Sequence, residues 1–474
     1  MIDTGTARTA RRTSPAQRGL ALLTAVAIAA TTGGPVPERA RAQEQPTRGM
    51  PVIRDAEIEQ LLRDYATPIL RAAGLAQQNI RVVVLNDPSF NAFVMDGRHI
   101  FINSGALFEA KTPNEVIGVF AHETGHLAGG HLMRLREKLA EAQTQSIIAL
   151  LAGVGAMIAA GRSNNADLGA GPIIAPQMGI QRTLIAYVRT QEDQADHAGV
   201  KFLTMTHQSA RGMLELFKRL ANQMLFSSAR IDPYLQTHPL PPDRIAALEV
   251  LAKSSPYWNV KDPPELQLRH DLMRAKLSGF LDRPDTVMRR YPPSDHSLPA
   301  RYARAISTYR YGDLRQAVAQ IDSLSESEPN NPYFHELKGQ ALLEGGHPAE
   351  AIPPLRRAVQ LASHPALIQI MLGQALIATN NTKNADEAVG LLRAALRSEP
   401  EAPDGYAQLA MAYGRKGDYG NADLASAQAA FNRGDTVTAK QLAARAKTRF
   451  AVGSPPWVQA DDIVNVKMPS AKNN

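Results

Sequence analysis

Apolar and polar positions change period several times along the chain, and each change marks an element. Residues 53–73 place apolar side chains at helical spacing up to Gly74, which predicts an amphipathic helix. Ile80–Leu85 is rich in β-branched residues and stops at Asn86-Asp87-Pro88-Ser89, a turn. Asn91–Met95 and His99–Asn103 flank Asp96-Gly97, the strongest short hairpin signal, so a small sheet is expected before residue 104. A strand at its edge could take an extended peptide as a further strand, besides packing on the helix that follows. That helix announces its start: Thr112 suits an N-cap, Pro113 the first helical position and Glu115 a capping box. The run Val116–Ala121 is apolar enough to be buried.

Residues 147–160 run for fourteen positions without a charge, too short for a membrane-spanning helix, which needs about twenty residues. The stretch reads as a core helix, a lid, or an element in peripheral contact with a membrane surface. Residues 161–180 are rich in Gly, Asn and Pro and predict a mobile loop, with a second helix headed by Arg189. From residue 297 the chain turns to Ala-rich helical pairs. Ala305, Gly339 and Gly373 recur at intervals of 34, as do Gly312 with Gly346 and Ala317 with Ala351, and Pro329, Pro365 and Pro400 close successive units. A 34-residue period with small residues where helices cross is the tetratricopeptide signature, here about four units of an all-α solenoid. The next unit arrives three residues late, at Ala410 and Gly417, with the extra length in Asn380–Ala385. Pro-rich joints at 261–264 and 291–299 bracket a helix at Pro264–Phe280. The expected organisation is a first domain over 43–262, a helical linker over 263–296, repeats over 297–452 and a flexible tail over 453–474.

The N-terminus reads as a leader. Arg8, Arg11, Arg12 and Arg18 precede the apolar Leu20–Ala30, and Ala40-Arg41-Ala42 offers a small-x-small cleavage site, so residues 1–42 are expected to be a signal peptide. They hold six Arg against Asp3 and Glu38, so the formal charge of +7 falls to about +3 without them. That balance gives no nucleic-acid footprint. The absence of cysteine excludes disulfides, thiol catalysis and cysteine-built zinc sites. An exported chain without cysteine suits a bacterial periplasm.

The chemistry centres on His122-Glu123-Thr124-Gly125-His126. At 3.6 residues per turn, His122 and His126 share a helix face and can reach one cation. Glu123 projects about 100° round from His122, badly placed to ligate but well placed to activate a water. This is the geometry of a zinc-hydrolase helix. His131, nine residues beyond His122, faces the other side and reads as a packing or surface histidine. Downstream, Glu192 and Asp196 lie one turn apart on a common face. One carboxylate could complete a two-histidine, one-glutamate zinc site and the other could brace an imidazole; by itself the pair would be a solvated acidic face.

Taken together, His122 to His126, Asn91-Ala92-Phe93 and Arg189 to Asp196 resemble the motifs of the HtpX and CAAX-prenyl-protease family of zinc endopeptidases, over residues 50–250. The resemblance implies an α+β, gluzincin-type metalloprotease domain, mostly helical with a small sheet, followed by the tetratricopeptide-repeat solenoid. It implies His122, His126 and Glu192 as ligands of one Zn2+, Glu123 as the water-activating base and Asp196 as the group behind a ligand. It also implies Asn91, Ala92 and Phe93 on the strand that receives substrate. No transmembrane helix is expected after the leader, which points to an exported, soluble branch. Thr237 to Arg244 resembles a segment of exported, repeat-bearing members, in which the histidine matching His238 can take the fourth zinc position and hold the enzyme latent. Arg244 would stabilise oxyanion charge or anchor that loop. The implied protein is a periplasmic endopeptidase acting on misfolded or stalled outer-membrane and periplasmic proteins, with repeats recruiting substrate or the barrel-assembly machinery. The rival reading is a repeat-based chaperone or scaffold with a latent zinc site. A purely structural zinc site does not suit a chain without cysteine.

Overall fold

The computed structural model describes residues 50–141, 171–226 and 233–466. The described residues fall into two units, one with residues 130–141 and 171–192, the other with residues 50–129, 193–226 and 233–466. The expected leader and the uncharged stretch 147–160 lie outside the described residues. No helix among the described residues is long and apolar enough to cross a membrane.

The small sheet predicted ahead of residue 104 is present. Its strands β1 (Val52–Ile53), β2 (Arg81–Leu85), β3 (Ala92–Val94) and β4 (His99–Asn103) lie in the order β1-β2-β4-β3. β2 and β4 pair in parallel, from Arg81 opposite His99 to Leu85 opposite Asn103, and β1 and β3 flank them antiparallel. The β3–β4 hairpin turns at Gly97, whose φ of +77° carries a penalty for other residues. Asp96 Oδ1 accepts from the amides of Arg98 and His99 and fixes the turn. β3 is therefore an edge strand, with Asn91 just before it and Phe93 stacked on Phe101 at 5.1 Å.

Helix α1 (Ala56–Ala72) is capped by Asp55, which accepts from the Ile58 amide, and buries Leu61, Leu62, Tyr65 and Ile69 at helical spacing. It packs on β2 and on the zinc-motif helix. α2 (Ser104–Glu109) leads from β4 to that helix, α3 (Pro113–Ala128). α3 starts as predicted: Thr112 accepts from the Glu115 amide and Pro113 sits at its first turn. Glu115 reaches one residue further back than a standard capping box, accepting from the Lys111 amide at 2.7 Å. Its carboxylate is also gripped by Arg219, at 2.8 and 2.6 Å, because it is 2% exposed and needs a cation.

Two expectations are corrected next. Residues 171–180 are not loop, and Arg189 does not head a helix; α4 runs from Gly171 to Met205 with Arg189 in its interior. The glycines and prolines near 161–180 suggested a break, but Pro172, Pro176 and Gly179 all lie within the helix. α5 (Arg211–Phe226), α6 (Pro233–Thr237) and α7 (Pro242–Lys253) complete the domain. Its core joins Leu62, Ile69, Ile100, Phe120, Leu203, Phe217 and Leu220.

α8 (Pro264–Leu281) and α9 (Pro284–Arg290) occupy the expected linker. α8 is a shared wall rather than a free tether. Its Met273 and Leu277 belong to the core of the first domain, whereas Leu272 and Ala275 pack with Tyr302 and Ile306 of the first repeat. Helical hairpins then follow: α10 (Leu298–Tyr311) with α11 (Leu314–Ser327), α12 (Pro332–Glu344) with α13 (Pro348–Leu361), α14 (Ala366–Ala378) with α15 (Thr382–Ser398), and α16 (Pro403–Arg415) with α17 (Tyr419–Asn432). The spaced glycines mark the crossings. A Cβ on Gly339 would fall 2.4 Å from Leu355, and one on Gly373 would fall 2.8 Å from Leu392. The late fourth unit has its cause in α15, which is 17 residues long where α13 is 14. The array continues into α18 (Thr436–Lys447), and the expected tail is corrected: α19 (Pro455–Asn465) buries Ala460 and Ile463 against α17 and α18. Pro455 at its first turn was the available signal.

Candidate metal centre

Burial dictates the chemistry of α3. From Pro113 to Gly125 every residue but Asn114 is buried, so His122 at 0% exposure and Glu123 at 1% sit where polar groups must be satisfied from within. Two close approaches bring α4 onto this helix. A Cβ on Gly125 would lie 2.8 Å from the Ala195 carbonyl oxygen, and one on Gly199 would lie 3.2 Å from the His122 nitrogen. Only glycine lets the backbones come so near.

That approach delivers Asp196. Its Oδ1 accepts from His122 Nδ1 at 2.9 Å, which fixes the tautomer and leaves His122 Nε2 with its lone pair facing inward. Nε2 then lies 3.0 Å from His126 Nε2 and 3.4 Å from His238 Nδ1. Donor atoms about 2.0–2.1 Å from one tetrahedral zinc would be roughly 3.3–3.4 Å apart, so this spacing suits the ion. His122, His126, Glu192 and His238 each offer one ligand atom, and all four atoms lie within 4.8 Å of one another. The set of three imidazoles and one carboxylate matches the preference of zinc for nitrogen with one oxygen donor. Glu123 projects beside it, with Oε1 3.7 Å from His238 Nε2.

Burial would push the Asp196 carboxyl up, but hydrogen bonds and charge from His122 and Arg244 hold it below its ordinary value. Of the two roles read for Arg244, the anchor is supported by its contacts. Its Nε and Nη2 fork onto Asp196 at 2.7 and 2.9 Å, and Nη1 donates to the Pro239 carbonyl at 2.8 Å. One guanidinium thus ties the carboxylate behind His122 to the loop that carries His238.

His131 is buried just past α3, beyond Gly130 with φ +61°, and is not among the four. Two aromatic supports were not legible in sequence. Phe217 meets His122 edge-on at 5.6 Å, and Tyr234 stacks on His238 at 4.6 Å while its carbonyl accepts from the His238 amide at 2.7 Å. Tyr234 stands four residues ahead of His238, the spacing that pairs side chains over one turn; Phe217 gave no local signal.

An α+β domain with a buried HExxH helix and a carboxylate from a second helix carries the donor set of a zinc site. Residues 53–252 match the model of peptidase family M48. The chain is 26% identical over 293 residues to the putative beta-barrel assembly-enhancing protease of Vibrio cholerae serotype O1, covering 60% of this chain and 58% of that one. It is 24% identical over 336 residues to the beta-barrel assembly-enhancing protease of Escherichia coli strain K12, covering 69% and 66%. The mitochondrial metalloendopeptidase OMA1 of Schizosaccharomyces pombe is 26% identical over 184 residues, covering 38% and 49%. The match spans less than two thirds of the length of the first two relatives.

Proposed function

We propose that this chain is an exported zinc endopeptidase that cleaves misfolded or stalled outer-membrane and periplasmic proteins, its repeats recruiting substrate or the barrel-assembly machinery. The observation that carries the reading is the convergence of His122, His126, Glu192 and His238 beside Glu123. His122, His126 and Glu192 would hold the zinc, which when bound supplies Lewis-acid polarisation of a carbonyl and acidifies water. Glu123 takes a proton from the attacking water and returns it to the leaving amine. Asp196 keeps His122 in the tautomer that presents Nε2. Substrate would extend β3 as a further antiparallel strand, with Asn91, Ala92 and Phe93 reading it. In support, Asn91 Oδ1 is buried with no hydrogen-bond partner among the described residues, so a substrate donor there would relieve it.

His238 is the latch in this reading. A fourth protein ligand takes the position that water needs. Metal content, together with cleavage of an unfolded substrate such as casein, tests the whole proposal: one zinc per chain and cleavage abolished by a chelator are expected. Zinc-free protein that still cleaves, or zinc-loaded protein that no variant can activate, would count against it. His238→Ala should raise cleavage several-fold while zinc stays bound, because three ligands and an open position remain. Unchanged or lower cleavage would remove the latch. A chaperone role for the repeats is the second reading, favoured by the helical array.

A further inference from the structure

Glu57, Lys276, Tyr302 and Glu336 meet in a buried group that the metal centre does not use, with Asp55, 17% exposed at its side chain, at its edge. Lys276 Nζ on α8 lies 2.8 Å from Asp55 Oδ2, 3.2 Å from Glu57 Oε2 and 3.7 Å from Glu336 Oε2. The Lys276, Glu57 and Glu336 side chains are 3%, 6% and 7% exposed. From α10, Tyr302 donates to Glu57 Oε2 at 2.9 Å, and from α12 the Tyr333 ring stands 5.6 Å from the ammonium. Arg269, also on α8, is committed to Asp64 at 2.5 Å. The group thus joins the first turn of the peptidase domain, the shared wall and two repeat helices.

Lys276 offers one positive charge to three carboxylates, two of them buried, and an uncompensated buried charge costs several kcal/mol. The three are not equal. Asp55 caps α1 by accepting from the Ile58 amide and lies nearest to Lys276. Glu57 has the Tyr302 hydroxyl and a nearer approach to Lys276 than Glu336. Glu336 Oε2 has no hydrogen-bond partner among the described residues, and 3.7 Å from the ammonium is too far for one.

We propose that Glu336 is the carboxyl of this group left without a compensating charge, and that its ionisation loosens the repeat array from the first helix of the peptidase domain, making the junction a pH-operated clamp. Burial pushes the Glu336 carboxyl up to about 8, against the pull of Lys276 and with the repulsion of Asp55 and Glu57 added. Burial raises Glu57 in the same direction. Burial disfavours the Lys276 charge, yet Asp55, Tyr302, Glu336 and Glu57 hold the group well above its ordinary value, so it stays an ammonium. A carboxyl raised in the folded state contributes stability that is complete below its ordinary 4.5 and is lost as pH climbs to about 8. Above that the contribution is flat.

Glu336→Gln keeps the shape and removes the titration. In full-length protein, amide exchange of the α1 first turn and of α12 should open roughly tenfold more per pH unit in wild type than in Glu336→Gln as pH rises from about 6 to 8, after correction for intrinsic exchange. Parallel opening in the two proteins would overturn the clamp. If the variant does not fold, infrared difference spectra of wild type still decide. No protonated-carboxyl band at about pH 6 refutes it, and a band lost between about pH 6 and 9 that Glu57→Gln retains supports it. None of these readouts depends on peptidase activity.

Discussion

Glu123→Gln should reduce cleavage of an unfolded substrate by about 10²–10⁴-fold, the span of a lost general base. Zinc content should not change. Glu123 stands beside the four ligand atoms rather than among them, with Oε1 3.7 Å from His238 Nε2. Glutamine fills the same volume at a site 1% exposed, so the melting temperature should also hold. The variant separates the two functional readings. A chaperone acting through its repeats would keep suppressing aggregation of a client in the Glu123→Gln form, whereas a protease would lose its effect on that client. Wild-type-like cleavage by the variant would place the base elsewhere.

Gly125→Ala is expected to do the reverse, sparing the catalytic groups but displacing them. The new methyl would sit 2.8 Å from the Ala195 carbonyl oxygen and 2.9 Å from its Cα, both backbone atoms that move only if α4 moves. Overpacking of this kind costs about 1–3 kcal/mol, more than the up to about 1 kcal/mol that alanine gains over glycine in a helix. Because α4 carries both Glu192 and Asp196, the shift would weaken zinc binding as well as lower the melting temperature. Gly390→Ala is the control. Nothing lies within 4 Å of its added methyl, it is helical, and a gain of about 0.5–1 kcal/mol is expected there. Tighter zinc binding by Gly125→Ala, measured against a chelator, would refute the account of how the two helices meet.

Much of the first domain was written locally. Thr112 and Pro113 start α3 within a few residues of themselves, and Asp96-Gly97 closes the hairpin it predicts. The same holds for the repeats, where Gly339 against Leu355 and Gly373 against Leu392 are contacts between neighbouring helices. The misses came where a segment had no periodic signal of its own. α19 is short and its apolar residues gain meaning only from α17 and α18. The helicity of residues 171–180 was hidden by Pro172, Pro176 and Gly179, residues that weaken the local helical signal.

The sequence alone determined the helix that pairs His122 with His126 and sets Glu123 beside them, because spacing along a helix is fixed by backbone geometry. It determined the repeat period for the same reason. Tertiary structure alone decided that Arg244 anchors Asp196 and the Pro239 carbonyl, 48 and 5 residues away. It alone placed Asp55, Glu57 and Glu336 around Lys276. Charges so far apart along the chain carry no local pattern, and their meaning comes from burial, which makes each of them require a partner that only the folded chain brings near.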